Sequence, residues 1–202
     1  MSALPTLAPP KQDVIREAAK RVFLREGYGA SMDLVAAEAG VSKQTVYHHF
    51  GSKEGLFRAI VEGLSEEFLT VLVRSERIRE CPAETLTELA RRFLSLVMAP
   101  SSLALHRMLI AEAPRFPDLA REVYAAGPAQ AARRLAAYLA EQDRRGRLVV
   151  ADPELAAEQF LGALTGHVHL RAVLGIDEAP SREQCERIAA HAVESFLRAH
   201  RP

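Results

Sequence analysis

One run, Ser31 to Phe57, leaves this chain few ways to fold: Ser-Met-Asp-Leu-Val-Ala-Ala-Glu-Ala-Gly-Val-Ser-Lys-Gln-Thr-Val-Tyr-His-His-Phe-Gly-Ser-Lys-Glu-Gly-Leu-Phe. It reads as a short helix, a tight turn, a second short helix and the start of a third. Gly40 stands where the first helix stops, and glycine takes the positive φ of such a stop without steric cost. Ser42, two residues on, is a good N-cap for the next helix. Val35, Ala36, Ala39, Val41 and Val46 are small enough for two helices to cross closely. Together they form a helix-turn-helix pattern, whose second helix enters the major groove of DNA.

That second helix, about Lys43 to His49, carries the contact chemistry. Val46 and Phe50 are four apart and face a small core. Lys43 and Tyr47 are four apart on another face, with Gln44 between them, and Thr45 and His49 form a pair at its edge. This face offers an ammonium for phosphate or guanine, an amide for adenine, and a long hydroxyl donor. Lys43, Gln44, Thr45 and Tyr47 are expected in the groove or at its rim, with His49 and Lys53 on phosphate. Ser31, Ser42 and His48 complete the expected DNA-binding set. Ser52 caps the following helix, whose first amides also suit a phosphate.

The run resembles the TetR/AcrR family of bacterial transcriptional repressors. The resemblance is carried by Val14-Ile15, Ala18-Ala19, Val22-Phe23, Gly27-Tyr28, Ser31-Met32, Val35-Ala36, Ala39-Gly40-Val41-Ser42, Thr45-Val46-Tyr47, His49-Phe50, Ser52-Lys53-Glu54 and Leu56-Phe57. Two departures stand out: Ser31-Met32 replaces the more frequent Thr pair, and Asp33 is acidic where some members carry a basic DNA contact. Leu105 to Pro117, and Asp152 to Gly162, resemble the regulatory domain of AefR-like members.

Composition is consistent with an all-helical fold. Apolar residues make up 49% and charged residues 26% of the 202, as in ordinary globular chains. Ala is abundant and β-branched runs are few. The formal net charge is zero, yet residues 1–60 hold eight Lys or Arg against six Asp or Glu, and all four lysines. A modestly positive DNA-facing part joined to a neutral-to-acidic remainder is the reading. Cys81 and Cys185 are far apart and form no CxxC, which fits a reducing compartment. No signal peptide and no membrane span is expected, and the chain is placed in the cytoplasm.

Residues 1–10 read as a disordered arm, 11–57 as the DNA-binding domain and 58–202 as a regulatory and dimerisation domain. The first helix runs from about Gln12 to Arg25, with Val14, Ile15, Ala18, Ala19, Val22 and Phe23 on one face. A long helix is expected from Ser52 to Arg77. Others are expected at Ala83–Met98, Leu103–Ala113, Asp118–Ala125, Ala129–Arg145, Asp152–Leu174 and Ser181–Ala199. Asp152-Pro153 is a helix start with Asp as cap and Pro at the first position. Gly162 and Gly166 make the penultimate helix narrow enough for close approach.

The last two helices carry wide apolar faces that suggest self-association. Two reading helices on a two-fold axis sharpen selectivity for a palindromic double-stranded operator. Phe160, Ala163, His167, Ile188, Ala192, Val193 and Phe196 are the expected homodimer interface. The resemblance further implies a cavity for a small, often apolar, effector. Phe93, Val97, Leu105, Met108, Leu109, Tyr124 and Phe160 are candidate lining, with His106, Glu112, His167 and Arg171 as orienting groups. An effector that prefers the state with misplaced reading helices lowers operator affinity by linkage.

No catalytic fingerprint is present, and no cofactor or metal is expected. His167 and His169, two apart on a helix, point about 200° apart. A metal- or thiol-responsive sensor on the same scaffold, and a helical-bundle carrier or enzyme, are the alternatives.

Overall fold

A computed structural model of the chain describes residues 10–70 and 81–202, with the side chains of Ser65, Glu67 and Phe68 left out. Residues 71–77 of the long helix expected from Ser52 to Arg77, and residues 1–9 of the expected arm, thus lie outside the described residues. Everything described is helix, turn or irregular segment. The helices are α1 (Lys11–Glu26), α2 (Met32–Ala39), α3 (Lys43–Phe50), α4 (Lys53–Leu69), α5 (Pro82–Val97), α6 (Pro100–Glu112), α7 (Pro117–Ala126), α8 (Pro128–Arg144), α9 (Pro153–Leu174) and α10 (Arg182–Ala199). The chain forms two compact units, one ending at Ile60 and one starting at Val61.

In the first unit, α1 buries Ile15, Ala18, Ala19, Val22 and Phe23. Val14, expected on this face, is exposed. At 100° per residue it falls beside the stripe drawn by positions 15, 18, 19 and 22. Phe23, Tyr28 and Phe57 close the core as an aromatic triangle, with ring centroids 5.6 to 5.9 Å apart. Met32, Val35 and Ala36 from α2, Val46 from α3, and Leu56 and Ile60 from α4 complete it.

The second unit is a bundle of α5 to α10 around Leu86, Leu89 and Leu94 of α5, Leu135 and Leu139 of α8, Phe160 and Leu164 of α9, and Val193 and Phe196 of α10. Pro82, Pro100, Pro117, Pro128 and Pro153 each open a helix. Proline's fixed φ suits the first helical position, where its missing N–H would have no partner. Of these five prolines only Pro153 is expected from the sequence as a first helical residue. Consequently α6, α7 and α8 begin earlier than expected, α6 by three residues.

The penultimate helix is not continuous. Gly166 sits at φ 44°, ψ −146°, breaking α9 inside its expected span. Residues other than glycine seldom adopt that geometry, so Gly166 serves the backbone rather than a close helix crossing. Beyond the break, Arg107 of α6 donates to the carbonyls of Ala172 and Val173, at 2.5 and 2.7 Å. These carbonyls lie in the last turn of α9, where intrahelical donors run out.

Candidate nucleic-acid interface

The helix-turn-helix is built by its caps. Ser31 accepts from the Leu34 amide at 3.2 Å and opens α2. Gly40 ends α2 at φ 66°, and Val41 then donates to the Ala36 carbonyl at 3.0 Å. Ser42 accepts from the Thr45 amide at 3.1 Å, and its hydroxyl lies 2.8 Å from that of Thr45. The Ser31 and Ser42 oxygens are thus employed as caps, and the Thr45 hydroxyl joins the second. All three were expected at DNA; their first role here is to open α2 (Ser31) and α3 (Ser42 with Thr45).

Val46 is fully buried, which fixes the roll of α3. Lys43, Gln44, Tyr47 and His48 consequently face outward, and Tyr47 is 41% exposed. Lys43, Gln44 and Tyr47 lie on the face expected from their spacing, while Phe50, expected in the core with Val46, is half-buried. His49 is half-buried, its Nδ1 3.5 Å from Nε2 of Gln12 on α1. Ser52 caps α4 by accepting from the Gly55 amide at 3.0 Å. A Cβ on Gly55 would stand 2.2 Å from the Phe50 carbonyl oxygen. Close approach of backbone, not a turn, makes this glycine necessary, and no local pattern announces it.

The charges are more fully paired than the count of cations suggested. Lys43 Nζ donates to Asp33 Oδ2 at 2.8 Å, and this hydrogen bond raises the lysine pKa. Glu38 takes Arg21 at 2.9 Å and Arg25 at 3.6 Å. The Arg21 hydrogen bond in particular holds the Glu38 carboxyl below its ordinary range. Lys53, expected on phosphate, holds its ammonium 4.6 Å from the centre of the Tyr28 ring, a cation–π contact. The Tyr28 hydroxyl donates to Glu54 at 3.1 Å. The Glu54 pKa is lowered, first by its own backbone N–H and then by hydrogen bonds from Ser52 and Tyr28 against the opposing effect of burial.

In the second unit the expected effector residues scatter. Leu105 is buried, while Phe93, Val97, His106, Met108, Leu109 and Glu112 are half-buried. Tyr124, expected as lining, is 60% exposed on α7. Arg171, expected as an orienting group, is exposed and bound through two hydrogen bonds to Asp177, at 2.6 and 3.0 Å. Helical spacing alone cannot tell the outer face of a half-buried helix from its inner one. Glu112 lies 3.3 Å from Arg115. His106 instead meets His169, weighed from the sequence only as a metal partner of His167, with ring centroids 5.0 Å apart.

The expected dimer residues are better gathered. Phe160 and Ala163 of α9, with Ile188, Ala192 and Phe196 of α10, line one groove of about 560 Å³. Gln159, Arg187, His191 and Ser195 line it too, and extend the same helical spacing. Val193 is buried in the core and does not line the groove, and Phe160, Ala192 and Phe196, which do line it, are also buried in the core of the protomer. His167 is exposed on α9 just past the Gly166 break. Among the described residues no three His, Cys, Asp or Glu side chains gather as a metal site. No single helix there is long and apolar enough to cross a membrane. Burial, then the charge of Glu186, pushes the Cys185 thiol pKa up, away from the reactive thiolate.

Residues 15–60 match the sequence model described as bacterial regulatory proteins, tetR family. Residues 84–202 match that of the AefR-like transcriptional repressor C-terminal domain. Among solved structures, a regulator assigned to the TetR family from Mesorhizobium loti is 32% identical, covers 98% of this chain and 100% of its own, and superposes with a TM-score of 0.78. The flavonoid-responsive regulator FrrA is 36% identical over 96% of this chain and 99% of its own, with a TM-score of 0.73. The transcriptional regulatory protein RaaS of Mycobacterium tuberculosis is 51% identical over 53 residues. That match spans only 25% of RaaS and 26% of this chain.

Proposed function

The chain belongs to the TetR family of bacterial transcriptional regulators, DNA-binding proteins and not enzymes, and from that premise we propose a homodimeric repressor released from a palindromic operator by a small organic effector. The outward face of α3 carries this reading. Its apolar anchor Val46 is buried while Lys43, Gln44 and Tyr47 stand free of the core. Donors of this kind suit base edges and phosphates of a major groove.

One α3 spans few base pairs, so a tight and selective site needs a second copy. The apolar groove between α9 and α10 is the surface proposed to bring that copy, with Ala163 and Ile188 at the contact. The effector is placed in the second unit among α5, α6 and α9, with His106 and His169 as its polar neighbours. The 36% identity to FrrA, a flavonoid-responsive regulator, supports a planar aromatic compound as the first class to try.

The test is a gel-shift titration against an operator selected in vitro from random-sequence DNA. Tyr47→Ala and Lys43→Ala should weaken binding while the helical content and the dimer persist. A panel of flavonoids and other small aromatic compounds should contain one that releases the DNA. Unchanged affinity in both variants would remove α3 as the reading helix.

A further inference from the structure

Asp33 and Lys43 join the two helices of the DNA-binding motif across its turn. The lysine is the first residue of α3, and its ammonium donates to Asp33 in the first turn of α2 at 2.8 Å. The side chains are 67% and 50% exposed, so packing does not force them together. A pair this exposed adds little to folding. Its consequence lies in the charge presented to DNA.

A free ammonium at this place would favour every phosphate, whatever the sequence, and phosphate contacts carry no sequence information. Held by Asp33, it is a different object. One of its three N–H donors is committed to Asp33, and two remain at the start of α3, where Gln44 is the next residue. Lysine is otherwise a flexible point charge on a four-carbon stem. A tethered lysine is instead suited to the O6 and N7 acceptors that guanine shows in the major groove. The adjacent carboxylate repels phosphate, so the same pair opposes a slide toward the backbone. The acids of α2 act alike on α1, where Glu38 holds Arg21 and Arg25.

We propose that Asp33 is a positioning residue for DNA specificity: it holds the Lys43 ammonium as a fixed reader of guanine and denies it to the phosphates of unrelated DNA. This rests on the reading of α3 as the DNA-contacting helix. Removing the Asp33 charge frees Lys43 for any phosphate, so binding to unrelated DNA strengthens. The operator complex loses an aligned donor, so its affinity does not rise in step.

The experiment compares the full-length protein with Asp33→Asn, Asp33→Glu, Lys43→Ala and the Asp33→Asn/Lys43→Ala double variant. Each is titrated with the selected operator and with a random-sequence duplex of equal length, over a series of salt concentrations. Asp33→Asn should tighten binding to random DNA about three- to ten-fold at low salt and steepen the salt dependence by about one ion per protomer. The ratio of operator to random affinity should fall several-fold. Asp33→Glu should retain most of the ratio, and the Asp33→Asn effect should vanish when Lys43 is already alanine. An unchanged or larger ratio in Asp33→Asn, or an equal fall in the Lys43→Ala background, overturns the proposal. Unchanged operator affinity in Lys43→Ala alone also overturns the proposal; the reading of α3 stands as long as Tyr47→Ala or Lys43→Ala weakens operator binding, and fails if neither does.

Discussion

His106 and His169 hold their imidazole rings with centroids 5.0 Å apart, tilted by 34°. The first lies on α6 and the second on α9, three residues beyond the Gly166 break. Burial lowers the pKa of both, and for His169 the charge of His106 lowers it further. Two imidazoles so close resist taking up protons in the folded state.

A pH dependence follows, with a definite sign. The unfolded imidazoles titrate near 6.5, and the folded ones below it. Between those values the unfolded chain binds more protons, so stability rises with pH there. The contribution is complete above about pH 6.5 and is lost as pH falls through and below it. Chemical denaturation at about pH 7.5 and 5.5 should show the loss, and His169→Gln should reduce it. An equal loss in the variant would assign the effect to other groups.

Gly166→Ala tests the break in α9. Alanine at φ 44° is strained although nothing crowds its Cβ. The expected cost is about 1–3 kcal/mol in a denaturant titration. Circular dichroism should show the helical fold retained, since the strain is local.

Gly55→Ala should be damaging for a different reason. Its new Cβ would meet the Phe50 carbonyl oxygen at 2.2 Å. Backbone cannot rotate aside as a flexible side chain does, so α3 and α4 must separate. A loss of about 1–3 kcal/mol, or more, is expected in thermal melts. DNA affinity should fall with it, because Phe50 ends the reading helix.

Ala163→Arg addresses self-association. Ala163 is exposed in the α9–α10 groove, so the bulky cation should leave the protomer folded. Light scattering should report a monomer where the parent chain is a dimer. Operator affinity should fall steeply while the salt-dependent binding to random DNA falls less.

Ser42→Ala removes the acceptor that caps α3. The expected loss is about 1 kcal/mol of stability. Operator binding should weaken through fraying of α3, and Ser42→Asp, which restores an acceptor, should recover the stability. Recovery of stability without recovery of binding would point instead to a direct hydroxyl contact or to repulsion between the introduced carboxylate and phosphate.

Much of the first unit was legible because its signals are local. Gly40, Ser42 and Val46 act within one or two turns of themselves, and their stop, cap and anchor are present as expected. The effector region was less legible. Tyr124 and Arg171 have plausible chemistry and helical spacing, but which side of a half-buried helix meets the interior depends on neighbours distant in sequence. Helix starts at Pro100, Pro117 and Pro128 were available in principle through the same rule that located Pro153.

The amino-acid sequence by itself determined the family, the helical class, the helix-turn-helix and the outward set of Lys43, Gln44 and Tyr47. Capping, propensity and hydrophobic period act over a few residues and need no tertiary context. Only the tertiary structure decided that Asp33 holds Lys43, that His106 meets His169, that Gly166 breaks α9 and that Gly55 has no room for a Cβ. Each depends on distances between atoms that the chain brings together by packing, and packing is a property of all the elements at once.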